Sequence, residues 1–353
     1  MYLNGIGTAA PPSRYTKLDC WEAFRRSEWF GRLHERTRAL ARAILLGENG
    51  MEARRLAVDS LADAFQIDPD TLHRRFLHAA PDLAARAGAS ALDNSGLAAH
   101  DIDAIVVSTC TGYLCPGLSG YVSERLGLRA STAAFDLVGQ GCAAALPNMR
   151  LGQALLAPGQ YGRHVLSICV EVSSAAMYLD DDPGVMVSAC LFGDGAGAAV
   201  LSSAAPAGRR RILWQDCESL LDPSHREALM FEHRSGMLRN VLTRPVPHLA
   251  AEHVGRVLEI LLPRAGIDVS QISTWIMHAG GRDVLRAIEE RLSLGPEDLR
   301  FSAAVLREYG NLSSAFVYFV LQAALAAGAA GGWWWLGAFG AGFSCHGALL
   351  RVD

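Results

Sequence analysis

Cys142 follows Phe135-Asp136-Leu137-Val138-Gly139-Gln140-Gly141 and precedes Ala143-Ala144-Ala145-Leu146-Pro147. Glycines on either side of Gln140 permit a tight strand-to-helix turn with unusual φ values. Pro147 is tolerated in the first turn of the following helix, where its missing N–H has no intrahelical acceptor to lose. Cys142 is therefore expected at or just before a helix N-terminus, where free amides and the macrodipole favour thiolate over thiol. A small residue filling a tight turn is the plainer alternative. An internal repeat favours chemistry. Gly96-Leu97, Asp101-Ile102 and Ile105-Val106-Val107-Ser108 align with Gly266-Ile267, Gln271-Ile272 and Trp275-Ile276-Met277-His278 at a shift of 170 residues. At a shift of 169, Gly141-Cys142 falls on Gly310-Asn311, and Gln153-Ala154-Leu155-Leu156-Ala157 on Gln322-Ala323-Ala324-Leu325-Ala326. A fused duplication brings equivalent points of both copies to one pseudo-twofold axis, so Cys142, His278 and Asn311 are expected in one site. His278 ends an apolar strand, where it can pair with a thiolate as imidazolium or donate to a developing oxyanion. The Asn311 amide can donate to an enolate or thioester oxygen without titrating; the alternative is an ordinary helix N-cap. Together the three imply carbon–carbon condensation.

The 353 residues are 50% hydrophobic and 19% charged, which implies a large core, and the formal charge of −4 argues against nucleic acid. The basic run Arg209-Arg210-Arg211 reads as a solvated turn. Eight cysteines form no CxxC pair, no metal signature is evident, and no signal peptide is seen, so a reduced cytoplasmic protein is expected. From Leu312 to Phe343 the chain carries no charge. Gly328, Gly331 and Gly332 interrupt that run, which reads as a buried helix over 312–327, a glycine turn, and a buried strand from Trp333 rather than a membrane span.

The elements that must position the site alternate. Strand-like runs cover Ile102–Thr109, Val165–Val170, Gly195–Leu201, Ile272–His278 and Trp333–Phe339. Helical patterns cover Leu83–Gly96, Ala143–Leu156, His248–Ala265, Arg282–Leu292 and Leu312–Ala327. Such alternation predicts α/β layers with buried, mostly parallel strands. The small, polar stretch Ser202–Arg211 suits the junction, giving an N-terminal half, 1–205, with the cysteine and a C-terminal half, 206–353, with the histidine and asparagine. Residues 13–80 read as a helical extension of the first half.

These residues resemble a known family. Gly5-Ile6-Gly7-Thr8-Ala9-Ala10-Pro11-Pro12, Val138-Gly139-Gln140-Gly141-Cys142, Leu191-Phe192-Gly193-Asp194-Gly195, Trp275-Ile276-Met277-His278-Ala279-Gly280-Gly281 and Glu308-Tyr309-Gly310-Asn311-Leu312-Ser313-Ser314 are similar to the type III polyketide synthases. These form the chalcone-synthase-like branch of the thiolase superfamily. The resemblance implies a thiolase-like fold, duplicated α/β/α/β/α layers with mixed five-stranded sheets. It implies that Cys142 takes an acyl group from a coenzyme A thioester, with no other cofactor and no metal. Malonyl-CoA then decarboxylates, its enolate oxygen held by His278 and Asn311, and the enolate attacks acyl-Cys142. Phe192 matches a phenylalanine between CoA tunnel and cavity; Ala176, Ser188 and Met230 fall at cavity-lining positions. Cys115-Pro116-Gly117 matches a loop that reaches the partner's cavity, implying a homodimer.

Departures from the family pattern narrow the substrate. A Gly-Phe-Gly-Pro-Gly loop stands here as Ala338-Phe339-Gly340-Ala341-Gly342, Arg239 or Asn240 falls near a second gatekeeper phenylalanine, and CoA-gripping basic residues are not evident, although Arg74 and Arg75 lie nearby. Phe339–Gly347 is similar to bacterial long-chain alkylresorcinol and alkylpyrone synthases. With Ala176 expected to deepen an apolar pocket, the reading is a fatty acyl-CoA starter, two or three malonyl-CoA extensions, and closure to an alkylpyrone or alkylresorcinol. The closest rival is an initiation-type ketoacyl synthase using an acyl-carrier protein, and a carrier protein or fatty-acid synthase is a possible acyl donor in either case. A non-catalytic lipid-binding protein is a more distant alternative. Gly281 leaves space beside the site for the chain to fold. Gly281→Trp is expected to change the product ratio in chromatography with mass detection; identical products would remove Gly281 from the argument.

Overall fold

The computed structural model describes residues 1–158, 162–295 and 297–353. Its strands are β1 Tyr2–Ala9, β2 Arg14–Thr16, β3 Ala53–Arg55, β4 Ala104–Ser108, β5 Ala133–Leu137, β6 His164–Glu171, β7 Gly195–Ser202, β8 Ile212–Leu221, β9 Leu229–Arg234, β10 Met237–Leu242, β11 Ile272–Met277, β12 Gly332–Gly340 and β13 Ser344–Val352. Its helices are α1 Lys17–Arg26, α2 Glu28–Arg32, α3 Glu35–Leu46, α4 Pro69–Ser95, α5 Leu118–Leu126, α6 Ala145–Leu155, α7 Pro183–Leu191, α8 Val246–Ala265, α9 Arg282–Leu292, α10 Arg300–Tyr309 and α11 Phe316–Ala326.

Nine strands form one mixed sheet in the order β11-β12-β13-β8-β1-β7-β6-β4-β5. The order reads symmetrically outward from the β1–β8 contact, where Tyr2 pairs with Leu213. On one side β4 and β6 are parallel while β6–β7 and β7–β1 are antiparallel. On the other, β11 and β12 are parallel while β12–β13 and β13–β8 are antiparallel. Caps repeat as well: α4 ends at Gly96 with φ 73° and α8 at Gly266 with φ 66°, the left-handed position glycine tolerates. The thiolase-like fold is present. Its copies are unequal, however: the first contributes five strands and the second four among the described residues. The residues that would answer β5 lie in α10, where Phe301, Val305 and Leu306 are buried at helical spacing. In β5, by contrast, burial alternates residue by residue.

Helix α11 is buried on nearly every face, from Phe316 through Leu321 and again at Ala324, as expected for a helix enclosed by other layers. No helix among the described residues is long and apolar enough to cross a membrane. Helix α4 starts well before the expected Leu83. Asp68 caps it by accepting from Thr71 N, Pro69 takes the first turn, and the helix continues through Pro81. The extension α1–α3 places Trp21, Phe24, Leu33 and Leu45 against Met177, Met186 and Cys190, so it supports α7. At Gly7 of β1, a Cβ would overlap the Ala87 carbonyl oxygen and Ala91 N of α4. Gly7→Val is therefore expected to unseat α4, lowering thermal unfolding well beyond the roughly 1 kcal/mol of a simple glycine replacement. An unchanged melting temperature would contradict that packing.

Candidate active site

Gly139 and Gly141 both adopt positive φ, 81° and 55°. A Cβ on Gly141 would stand 2.9 Å from Ala341 N, so the turn also admits the 339–343 loop. Cys142 follows within the 3₁₀ turn Gly141–Ala143, ahead of α6, and is buried. At the equivalent place in the second copy, Asn311 precedes a 3₁₀ turn, Ser313–Ala315, and then α11. Its side chain is not an N-cap. Asn311 Oδ1 accepts from Ser313 N at 2.8 Å, and Nδ2 donates to Gly280 O at 3.2 Å. One amide hydrogen of Nδ2 therefore stays uncommitted. Ser313 Oγ donates to Cys142 Sγ at 3.2 Å, joining the two copies directly.

His278 follows β11, its backbone N donating to Gly337 O at 2.9 Å. The ring packs against Phe316 and Phe339, with centroids 5.4 and 5.1 Å away. Both ring nitrogens are buried without a hydrogen-bond partner. Burial drives its pKa down to about 3, so the imidazole is neutral and carries one free donor. Cys142 departs from the expectation for a helix N-terminus. Burial pushes its thiol up to about 12, with Glu171 adding to the shift and the Ser313 hydroxyl opposing it. Desolvation outweighs the local dipole, and the resting pair is thiol and imidazole.

Glu171 is a residue the sequence reading missed. It ends β6, is fully buried, and accepts from Cys110 N at 3.1 Å, Thr111 Oγ1 at 3.0 Å, Ser313 Oγ at 3.3 Å and Ser314 Oγ. Burial raises its pKa against those donors. Cys110 Sγ lies 3.4 Å from Ser313 Oγ, so two thiols share one hydroxyl. The signal was a lone carboxylate closing an apolar run, Ile168-Cys169-Val170-Glu171.

The pocket residues divide. Ala176, Ser188 and Phe192 line a cavity of 30 Å³ with Thr111, Ser173, Phe231 and Asn240. Met230 lines an adjoining one of 570 Å³ with Cys110, Gly141, Leu72, Phe76 and Leu238, and the two share Thr111 and Phe231. Tyr178, Met177 and Phe231 line the same cavity as Ala176. Cys115, before a cis proline, is exposed and borders neither cavity. A Cβ on Gly281 would meet only Leu191 Cδ1, at 3.6 Å, which agrees with the open space expected there. Phe192 is bridged to Asn311: Asn311 N donates to Leu191 O at 2.9 Å and Gly193 N to Asn311 O at 3.0 Å. Arg54, also unforeseen, is buried and donates from Nη1 to Ala189 O at 2.6 Å and Phe192 O at 3.0 Å. Arg74 donates to Thr71, and Arg75 is spent on the carbonyls of Ser174 and Asp63. Among the described residues no cluster of acidic, histidine or cysteine side chains is placed to hold a metal.

Comparison with known proteins decides the family. The profile "Chalcone and stilbene synthases, C-terminal domain" matches residues 223–352, and "FAE1/Type III polyketide synthase-like protein" matches 59–220. A 1,3,6,8-tetrahydroxynaphthalene synthase of Streptomyces peucetius subsp. caesius is 31% identical over 98% of this chain and 92% of its own length. The chain belongs to the type III polyketide synthases. A 3,5-dihydroxyphenylacetyl-CoA synthase of Amycolatopsis orientalis is 32% identical over 68% of the chain, a match spanning 65% of that relative. The solved 1,3,6,8-tetrahydroxynaphthalene synthase of Streptomyces coelicolor A3(2) superposes with TM-score 0.88 at 25% identity, covering 99% of each chain. Type III polyketide synthases are malonyl-CoA-condensing acyltransferases that need no cofactor beyond CoA thioester substrates.

The resting thiol gives a direct test in this polyketide synthase. Without substrate, iodoacetamide labelling of Cys142, followed by peptide mass spectrometry, should rise about tenfold per pH unit from pH 6 to 10 with no plateau, since the thiolate fraction grows that way below a pKa of about 12. A flat profile near neutrality would mean a thiolate–imidazolium pair instead.

Proposed function

We propose that this type III polyketide synthase builds its product on Cys142, with His278 and Asn311 holding the enolate oxygen. The observation that carries the reading is the neutral, partnerless imidazole of His278 together with an Asn311 amide that bonds Gly280, two residues further on, and keeps one uncommitted hydrogen. In the loading step the Cys142 sulfur bonds to the acyl carbon as the acyl–CoA bond breaks, and the thiol proton passes through His278 to the departing CoA sulfur. Malonyl-CoA then loses its carboxylate as carbon dioxide, and the electron pair left behind forms the enolate. Its oxygen accepts from His278 and Asn311, donors fixed before the charge develops. The enolate carbon attacks the acyl-Cys142 carbonyl, and the cysteine sulfur leaves as the chain lengthens.

The starter we favour is a short acyl group. The cavity shared by Ala176, Ser188 and Phe192 is narrow, at 30 Å³. The products named for two relatives, a tetrahydroxynaphthalene and a dihydroxyphenylacetyl thioester, are compact oxygenated rings. The second reading is the fatty acyl starter with two or three extensions and closure to an alkylpyrone or alkylresorcinol. It is supported by the 570 Å³ cavity, whose wall holds Leu72, Phe76, Met230 and Leu238 beside Gly141. A CoA thioester or a carrier protein would supply that acyl group. We further propose that the halves 1–205 and 206–353 act in one homodimer subunit, the exposed Cys115 loop facing the partner.

Intact-protein mass spectrometry with acetyl-CoA and palmitoyl-CoA, followed by malonyl-CoA and product analysis, tests the reading. The expected result is an acetyl adduct on Cys142 that is consumed when malonyl-CoA is added. A palmitoyl adduct alone would favour the second reading, and no adduct on folded protein would overturn both. His278→Ala and Asn311→Ala should each slow malonyl-CoA decarboxylation by about 10²–10³-fold, the usual loss for one oxyanion donor. Losses under threefold would remove these residues from the enolate site.

A further inference from the structure

Two residues in the wall of the 30 Å³ cavity carry buried polar atoms that the resting protein leaves unpaired. The hydroxyls of Ser188 and Thr111 in the same wall are committed. Ser188 Oγ donates to Gly184 O at 2.9 Å; Thr111 Oγ1 donates to Glu171 at 3.0 Å and accepts from Val172 N at 2.9 Å. Asn240 Oδ1 and Ser173 Oγ, by contrast, are shut off from solvent with no partner, and both residues line this cavity. Asn240 is only 9% exposed. Natural folds rarely retain an unpaired buried polar group without a ligand to offset its cost.

Asn240 is held where it is. Its neighbour Arg239 points to the opposite face of β10, by the strand's alternation. There Arg239 meets Asp180 at 2.8 Å, Glu232 at 3.0 Å and Asp182 at 3.3 Å. Asp182 also caps α7, the helix that carries Ser188 and leads to Phe192. Of the two residues the sequence placed near a second gate, the ion pairs take Arg239, and Asn240 is left facing Phe192 across the cavity. The cavity is close to the nucleophile: Thr111 in its wall bonds Glu171, which also accepts from Ser313, the donor to Cys142.

We propose that Asn240 and Ser173 form a recognition pair for the oxygenated end of a β-keto chain, a carbonyl or enol hydroxyl, and so select against an alkyl chain of equal length. The proposal rests on the reading that Cys142 carries the acyl group. An enol hydroxyl donates to Asn240 Oδ1, and the Ser173 hydroxyl donates to a carbonyl oxygen. An alkyl end satisfies neither and leaves both orphaned, and this is the asymmetry by which a polar site rejects an apolar analogue more strongly than the reverse.

Acetoacetyl-CoA and butyryl-CoA differ by one carbonyl oxygen at equal chain length, which makes them the matched probes. Each is supplied to the full chain with malonyl-CoA, and kcat/KM is measured by release of free CoA, with adducts on Cys142 read by intact mass. The unaltered protein should prefer acetoacetyl-CoA by at least about tenfold. Asn240→Leu, which replaces the amide with an apolar group of similar size, should lose at least about tenfold on acetoacetyl-CoA and gain on butyryl-CoA; Ser173→Ala should shift the ratio in the same direction. Asn240→Leu should also melt no lower than the parent, since a partnerless buried polar group has been removed. A ratio that stays the same in both variants, or a parent that prefers butyryl-CoA, would overturn the pair while leaving Cys142 as acyl carrier. Absence of a Cys142 adduct with either probe would overturn the carrier reading and the pair with it.

Discussion

Every part of the site is arranged around the cost of burying charge. His278 and Cys142 lie where desolvation disfavours both ionised forms, and the surrounding groups do not repay it: the imidazole meets Phe316 and Phe339, and the thiol meets a neutral serine hydroxyl. Glu171, the nearest charge in the network, adds to the penalty on the thiol. A thiolate–imidazolium pair would stabilise itself at rest and would already occupy the donor proposed for the enolate oxygen. Neutral groups leave that donor free.

The duplication explains how such a site is assembled from distant sequence. Cys142 and Asn311 occupy the same step of each copy, the turn before a buried helix, and the copies meet through the Ser313–Cys142 contact. The two turns then diverge. In the first copy positive φ at Gly139 and Gly141 presents a thiol; in the second Asn311 closes an Asx-type turn onto Ser313 N and reaches Gly280 O. Loss of the fifth strand in the second copy is a further divergence, with α10 in its place.

Much of this was legible in the chain because it is written in periodicity and punctuation. The apolar runs at β6, β7, β11 and β12 end within a residue or two of their expected limits, and α9 covers the expected span. Glycine positions marked both catalytic-copy turns. What escaped was set by tertiary context. The helical pattern in the sequence begins at Leu83, yet α4 starts at Pro69 and continues through Pro81, its buried face, Leu72 to Leu92, packing along the sheet. Glu171 closes an apolar run and Arg54 lies in a short charged one, and only the fold shows that they are buried and what they bond. Pocket depth is also a property of side chains remote in sequence. Small Ala176 shares its cavity wall with Phe231, from a hairpin that follows fifty-odd residues later.

That hairpin, β9–β10, connects the site's polarity to its size. Its six cross-strand pairs fix Phe231 opposite Asn240, so the residue that narrows the cavity and the residue that leaves a polar atom in it move as one unit. Arg239 then anchors the unit to the acidic segment 180–182 ahead of α7, and Arg54 holds the other end of α7 through the carbonyls of Ala189 and Phe192. Two arginines thus clamp one short helix from opposite ends. Since Phe192 is bridged to Asn311, the wall of the cavity and the proposed enolate donor share a single rigid support. A change in chain preference that loosened α7 would disturb the asparagine as well.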